Sequence, residues 1–120
     1  MPATNYDIII EQGATFTLQL VYKTSAGVAV DLTGYSARMQ VRESYPAASP
    51  LLSFTSAAGG GITLGGAAGT ILIEASDETT AAINTRQTIW GVYDLELVPT
   101  DGKALRLLEG AAQIRPEATR

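Results

Sequence analysis

The sequence predicts an all-β protein: an antiparallel β-sandwich of seven to nine short strands, with one short helix near 76-83, forming a single domain over 1-120. Three observations predict it. Apolar and polar residues alternate at period two in the strongest segments, as in strands with one face on a core and one in water. Turn residues recur about every ten positions. Only one segment carries helix-start signals. A chain of 120 residues, 46% of them apolar, suits one domain with one core.

In chain order, Tyr6 to Ile10 is a short β-rich run stopped by Gln12-Gly13. Ala14 to Lys23 is the clearest strand. Phe16, Leu18, Leu20 and Tyr22 alternate with Thr15, Thr17, Gln19 and Lys23, and Val21 is the apolar exception on the polar face. Thr24-Ser25-Ala26-Gly27 turns the chain, Val28 to Val30 is a short paired run, and Asp31-Leu32-Thr33-Gly34 turns it again. In Tyr35 to Arg42, Ala37, Met39 and Val41 point one way, and Ser36, Arg38, Gln40 and Arg42 the other. Glu43 to Pro50 is a loop. Pro50 before the strand Leu51 to Thr55 suits a sheet edge, where a missing N–H breaks no ladder.

The glycines of 57–61 and 65–69 bracket Ile62-Thr63-Leu64 and precede Thr70 to Glu74, a hairpin with a wide turn. Ser76 is a good N-cap, and Asp77 and Glu78 complement a helix dipole, so the helix starts there. Ile89 to Val98 is a strand in which Tyr93, Leu95 and Leu97 alternate with Val92, Asp94 and Glu96. Pro99-Thr100-Asp101-Gly102 turns it into Lys103 to Ile114, with a bulge expected at Gly110. Pro116 ends the last strand.

Composition restricts the chemistry. Without cysteine there is no disulfide, thiolate site or thiol nucleophile, and without histidine there is no imidazole base, metal ligand or Ser-His-Asp triad. No catalytic residue, metal site or cofactor is expected, and the chain reads as not an enzyme. The net charge of −4, with its eight Lys and Arg scattered, lacks the basic patch that phosphates require, so no nucleic-acid partner is expected. The N-terminus resembles no signal peptide, and no apolar run approaches the roughly 20 residues of a membrane span, so no membrane partner is expected either.

Each possible site has a simpler reading. Asp94 and Glu96 share a strand face, as an acid/base or Ca²⁺ pair would, but alternation alone places them on a solvated face. Asp77 and Glu78 fit a helix N-terminus better than a cation site. Gly59-Gly60-Gly61 and Gly65-Gly66 lack the Lys and Ser/Thr of a phosphate loop and read as hairpin turns. Trp90 reads first as core packing between the sheets and second as an interface anchor or stacking platform. Arg38, Arg42, Arg106 and Arg115 form a solvated polar face or pair with carboxylates of a neighbouring subunit.

The order Tyr6-Asp7-Ile8-Ile9-Ile10-Glu11-Gln12-Gly13-Ala14-Thr15-Phe16-Thr17-Leu18, then Val30-Asp31-Leu32-Thr33-Gly34-Tyr35-Ser36-Ala37-Arg38-Met39-Gln40-Val41-Arg42, then Val92-Tyr93-Asp94-Leu95-Glu96-Leu97 and Leu107-Leu108-Glu109-Gly110, resembles small bacteriophage virion proteins over nearly the whole chain. It is similar to the β-sandwich collar proteins that attach side fibres to siphophage tails, and to the N-terminal domain of upper baseplate proteins. The resemblance implies an immunoglobulin-like sandwich and a homo-oligomer, made in the host bacterial cytoplasm and localised in the virion. It implies a tail collar or baseplate adaptor that anchors fibres or receptor-binding proteins, with tail tube, baseplate or fibre proteins as partners. Two alternatives remain open: a capsid (head) decoration protein on the major capsid protein, and a glycan-binding module using Trp90 beside Asp94 and Glu96. The expected interface residues are Tyr6, Ile8, Ile10, Arg38, Arg42, Trp90 and Arg115.

Overall fold

The structure is a computed structural model that describes residues 3–83 and 85–119. Two β-sheets face each other. One contains β1 (Thr4–Asn5) and β2 (Ile8–Glu11), both on β9 (Leu105–Arg115), followed by β8 (Ile89–Val98), β4 (Ser36–Arg42) and β5 (Leu52–Thr55). The other has the order β3 (Phe16–Val21), β7 (Thr70–Ala75), β6 (Ile62–Leu64). This is an immunoglobulin-like sandwich: the strand pair that crosses between sheets, β3 and β4, is followed by an extra edge strand, β5, on the larger sheet. Pro50 stands just before that edge strand, where its missing amide costs no ladder bond.

All strand pairs are antiparallel except the first with the last. β1 and β2 run parallel to β9, with Thr4 opposite Leu108 and Ile10 opposite Ile114. Parallel pairing needs a long intervening connection, and here nearly the whole domain provides it.

The core lies between the sheets. Ile8, Ile10, Met39, Val41, Ile71, Ile73, Tyr93, Leu95, Leu97, Ala112 and Ile114 are buried, each at an inward position of its strand. Alternation set these positions, since a slip by one residue would turn a whole strand's apolar set to solvent. Tyr22 and Tyr35 pack against this core, partly buried. The run Val28 to Val30 forms no strand. Its pairing reduces to a bridge between Lys23 and Ala29, because the turn at Asp31 begins immediately after it.

The helix α1 (Asp77–Ala81) starts at Ser76, whose hydroxyl accepts a hydrogen bond from the Thr79 amide. At five residues it is too short to stand alone. Thr80 anchors it: its buried hydroxyl donates to the Ala14 carbonyl (2.8 Å) and accepts from the Gly13 amide (3.0 Å). The β2–β3 corner and the helix are thus closed by one side chain.

The bulge in β9 is not at Gly110. The register shifts where Leu95 faces Leu108 but Glu96 faces Arg106, which leaves Leu107 as the extra residue. Gly110 has another role. The chain crosses it between β1 and β2, and a Cβ there would lie 2.5 Å from the Tyr6 carbonyl oxygen. The sequence signal was a glycine inside a strand, which marks a bulge or a close backbone approach. At Gly110 it is the approach.

Candidate interaction surface

The outward side of the larger sheet carries Arg38, Arg42 and Trp90 of the expected interface residues. β8 turns Gly91, Tyr93, Leu95 and Leu97 inward, so Trp90, Val92, Asp94 and Glu96 face out. Trp90 is therefore not core: it is 71% exposed. It stands opposite Gln113 of β9, which stands opposite Ile9 of β2, itself 49% exposed. The row Ile9–Gln113–Trp90 crosses three strands. In the next row, Ala111 and Val92 lead to Arg42 on β4. Exposed Tyr45 lines a hollow of about 280 Å³ with Gln40, Arg42, Val92, Asp94 and Glu96. One end of the face is therefore apolar and aromatic.

The other end is a ladder of mixed charge. Asp94 stands directly opposite Glu109, and Arg106 reaches both carboxylates at 3.5 Å. The next row pairs Glu96 with Arg38 through a 2.6 Å hydrogen bond. Partial burial pushes the Asp94 carboxyl above its ordinary value. Arg106 opposes that shift, while Glu96 and Glu109 reinforce it. Arg42 donates to the Ala47 carbonyl and to the Gln40 side chain, and its charge also opposes the Asp94 shift. Arg38 and Arg106 thus find acids within the chain, and their charges are locally matched before any neighbour arrives.

The remaining expected residues separate. Ile8 and Ile10 are buried at 5% and 0%, because β2 alternates and its inward face closes the core against β9. The expectation that they reach a neighbour is corrected: their strand pairs within the domain, and of the three consecutive isoleucines Ile9 alone faces out. Tyr6 is exposed at the crossing of β1 to β2. Arg115 is exposed at the end of β9, opposite Glu11.

Sequence reasoning missed Ile9 and Tyr45. Parity within Ile8-Ile9-Ile10 could have found Ile9, since one of three consecutive apolar residues in a strand must face out. Nothing local identified Tyr45, which lies in a loop. Trp90 and Asp94 share a face but stand two rows apart with Val92 between them, so they form no single cluster. Among the described residues, no group of acidic side chains is placed to hold a metal ion, and no helix is long and apolar enough to cross a membrane.

No family model matches the chain, and no curated protein matches it. Among solved structures it is similar to the extracellular domain of a voltage-gated sodium channel beta4 subunit, described as forming parallel homodimers with a role in cell–cell adhesion. The identity is 12% over 98% of this chain and 96% of that chain, with a TM-score of 0.43.

Proposed function

We propose that this chain is a non-enzymatic structural subunit of a bacteriophage particle, a tail collar or baseplate adaptor that anchors fibres or receptor-binding proteins. The observation that carries an assembly role is the outward face of the larger sheet, where Ile9, Val92 and the exposed Trp90 lie beside a salt-bridged ladder. An aromatic anchor with a polar surround is the usual anatomy of a protein-binding patch. Histidine and cysteine are absent, and the carboxylates of the face are engaged by arginines. That disposition favours binding over catalysis.

Placement in a phage tail rests on the ordered sequence resemblance. Particles encoding the chain are disrupted, separated into heads and tails, and analysed by mass spectrometry. Recovery with tails is expected. Recovery with empty heads alone points to decoration of the major capsid protein, and absence from particles overturns the reading.

The hollow beside Tyr45 favours a second reading as a glycan-binding module. An exposed aromatic ring there adjoins Asp94, Glu96, Gln40 and Arg42. Carbohydrate-array binding that is lost in Tyr45→Ala would support it, and no binding by the wild-type chain would exclude it.

A further inference from the structure

β3 is an unprotected sheet edge. Among the described residues it pairs with β7 on one side and with no strand on the other. Edge strands are normally blunted by Pro, Lys, a bulge or an inward charge. β3 reads Phe-Thr-Leu-Gln-Leu-Val, is six residues long, and has none of these. The other edges are less open. β6 has three residues, β5 has four and follows Pro50, and the β1–β2 edge breaks at Tyr6-Asp7 and ends in Glu11.

The burial of β3 shows the same incompleteness. Ile71 and Ile73 on neighbouring β7 are fully buried, yet Leu20 and Leu18, which stand opposite them and also point inward, remain partly exposed. Val21, at the end of the strand, is 45% exposed. Beside it a groove of about 480 Å³ opens, lined by Leu20, Val21, Leu105, Leu107 and Leu108 together with Lys23 and Arg106, the latter engaged by Asp94 and Glu109.

We infer that the β3 edge pairs with the β3 edge of a second copy of this chain, antiparallel about a two-fold axis at Gln19. Backbone parity gives the register. The Tyr22 amide donates to Gly69 on the β7 side, so alternation turns the amides and carbonyls of Thr17, Gln19 and Val21 to the free side. A two-fold at Gln19 matches Thr17 with Val21 of the second copy and Gln19 with its own counterpart. A two-fold at Leu18 would keep fewer hydrogen-bonded pairs within the strand.

The Gln19-centred register also sets Leu18 beside Leu20 of the second copy, which covers the two half-exposed leucines. Identical strands across a two-fold bring like residues together. The strand carries no charge, so nothing in it repels its own copy. The occupant is thus a second copy rather than a charged peptide. An edge contact alone buries less than the ~1,200 Å² of a standard stable interface, so the pairing is weak in isolation and is strengthened by multivalency in an assembly. The inference rests on the assembly reading and names its copy-to-copy contact.

The chain has no cysteine, so a single introduced thiol reports the contact. Counterparts in a hydrogen-bonded antiparallel pair lie about 5.5 Å apart at Cα, within the disulfide range of about 4.4–6.8 Å. Gln19→Cys, oxidised with diamide, is expected to give a covalent dimer. Thr17→Cys, whose counterpart would lie about 13 Å away along the strands, is expected to give none, as is Ser53→Cys on the other sheet. Light scattering of the wild type up to several hundred micromolar is expected to show concentration-dependent mass.

Gln19→Pro, which removes only a free-side amide, is expected to abolish that mass change while the thermal midpoint stays within a few degrees of wild type. Equal cross-linking of Gln19→Cys and the two controls overturns the edge pairing. A wild type that oligomerises undiminished in Gln19→Pro overturns it too, but leaves self-assembly standing through another face. A strict monomer with no Gln19→Cys dimer overturns the pairing, while recovery of the chain with tails would still uphold the virion reading.

Discussion

The Tyr93 hydroxyl donates a hydrogen bond to the Tyr6 backbone carbonyl, joining the middle of β8 to the crossing between β1 and β2. The same crossing is held by Asp7, whose carboxylate accepts from the Ala111 amide at 3.0 Å. The first strands of the chain are thus fastened to its last two strands by side chains as well as by the parallel ladder. Burial pushes the Tyr93 hydroxyl well above its ordinary value, and the charge of Asp7 adds to the shift.

Replacing Tyr93 with Phe leaves a part-buried carbonyl without its donor, a loss of about 1 kcal/mol. The thermal midpoint should fall by several degrees. The pH dependence has a definite sign. The folded state raises the Tyr93 pKa above its unfolded value of about 10, so this contribution is intact below pH 10 and is lost as pH rises beyond it. Melting curves from pH 8 to 11 should show a steeper alkaline loss for the wild type than for Tyr93→Phe.

Gly110→Ala places a methyl group against the Tyr6 carbonyl, at 2.5 Å from its oxygen. Backbone cannot yield there without breaking the pairing of β1 with β9. A destabilisation of about 1–3 kcal/mol is expected, read as a lower urea midpoint. An unchanged midpoint would mean that the crossing does not sit over Gly110.

Thr80→Val removes the hydroxyl that serves both Gly13 and Ala14. The buried shape is nearly kept, so the cost comes from unmet backbone groups, about 1–3 kcal/mol. Hydrogen exchange should speed up at the β2–β3 corner and in α1 together.

Asp94→Asn should act in the opposite direction. Partial burial and the neighbouring Glu96 and Glu109 raise the Asp94 pKa, so its ionised form is disfavoured in the folded chain. That group favours folding below its unfolded pKa, and the benefit is lost as pH rises through the folded one. The variant should be as stable as wild type or slightly more stable at pH 7, with the difference vanishing in acid. Loss of the Arg106 contact, which is half exposed, offsets only part of this gain.

Much of the fold was legible in the sequence. β6 spans 62–64 and β8 spans 89–98 as expected, and the strands 36–42, 52–55 and 70–75 end within a residue of expectation. The helix begins at Ser76 because a hydroxyl there can accept an amide, a local rule independent of tertiary context. The parallel pairing of the first strands with the last was not legible, because it joins residues such as Ile8 and Ala112 that no local pattern links. Trp90 is the instructive case. Its parity with Val92, Asp94 and Glu96 placed it outside, but its size argued for the core, and periodicity decided the outcome. The β3 edge was invisible for another reason: alternation identifies a strand, but only sheet order shows that one of its sides is unpaired.

Trp90→Ala separates stability from association. A 71% exposed side chain contributes little to folding, so the melting temperature should stay within a degree or two of wild type. Co-sedimentation with tails should fall severalfold, since anchors of this type dominate binding. Unfolding of the variant would instead place the indole in the core.

The most direct measurement is oxidative footprinting of the chain, free and within intact particles, read at Trp90 and Val21 by mass spectrometry. An assembled subunit should show both residues labelled in the free protein and shielded in the particle. Equal labelling in the two states, or no copy of the chain in the particle, would contradict its role as a structural subunit.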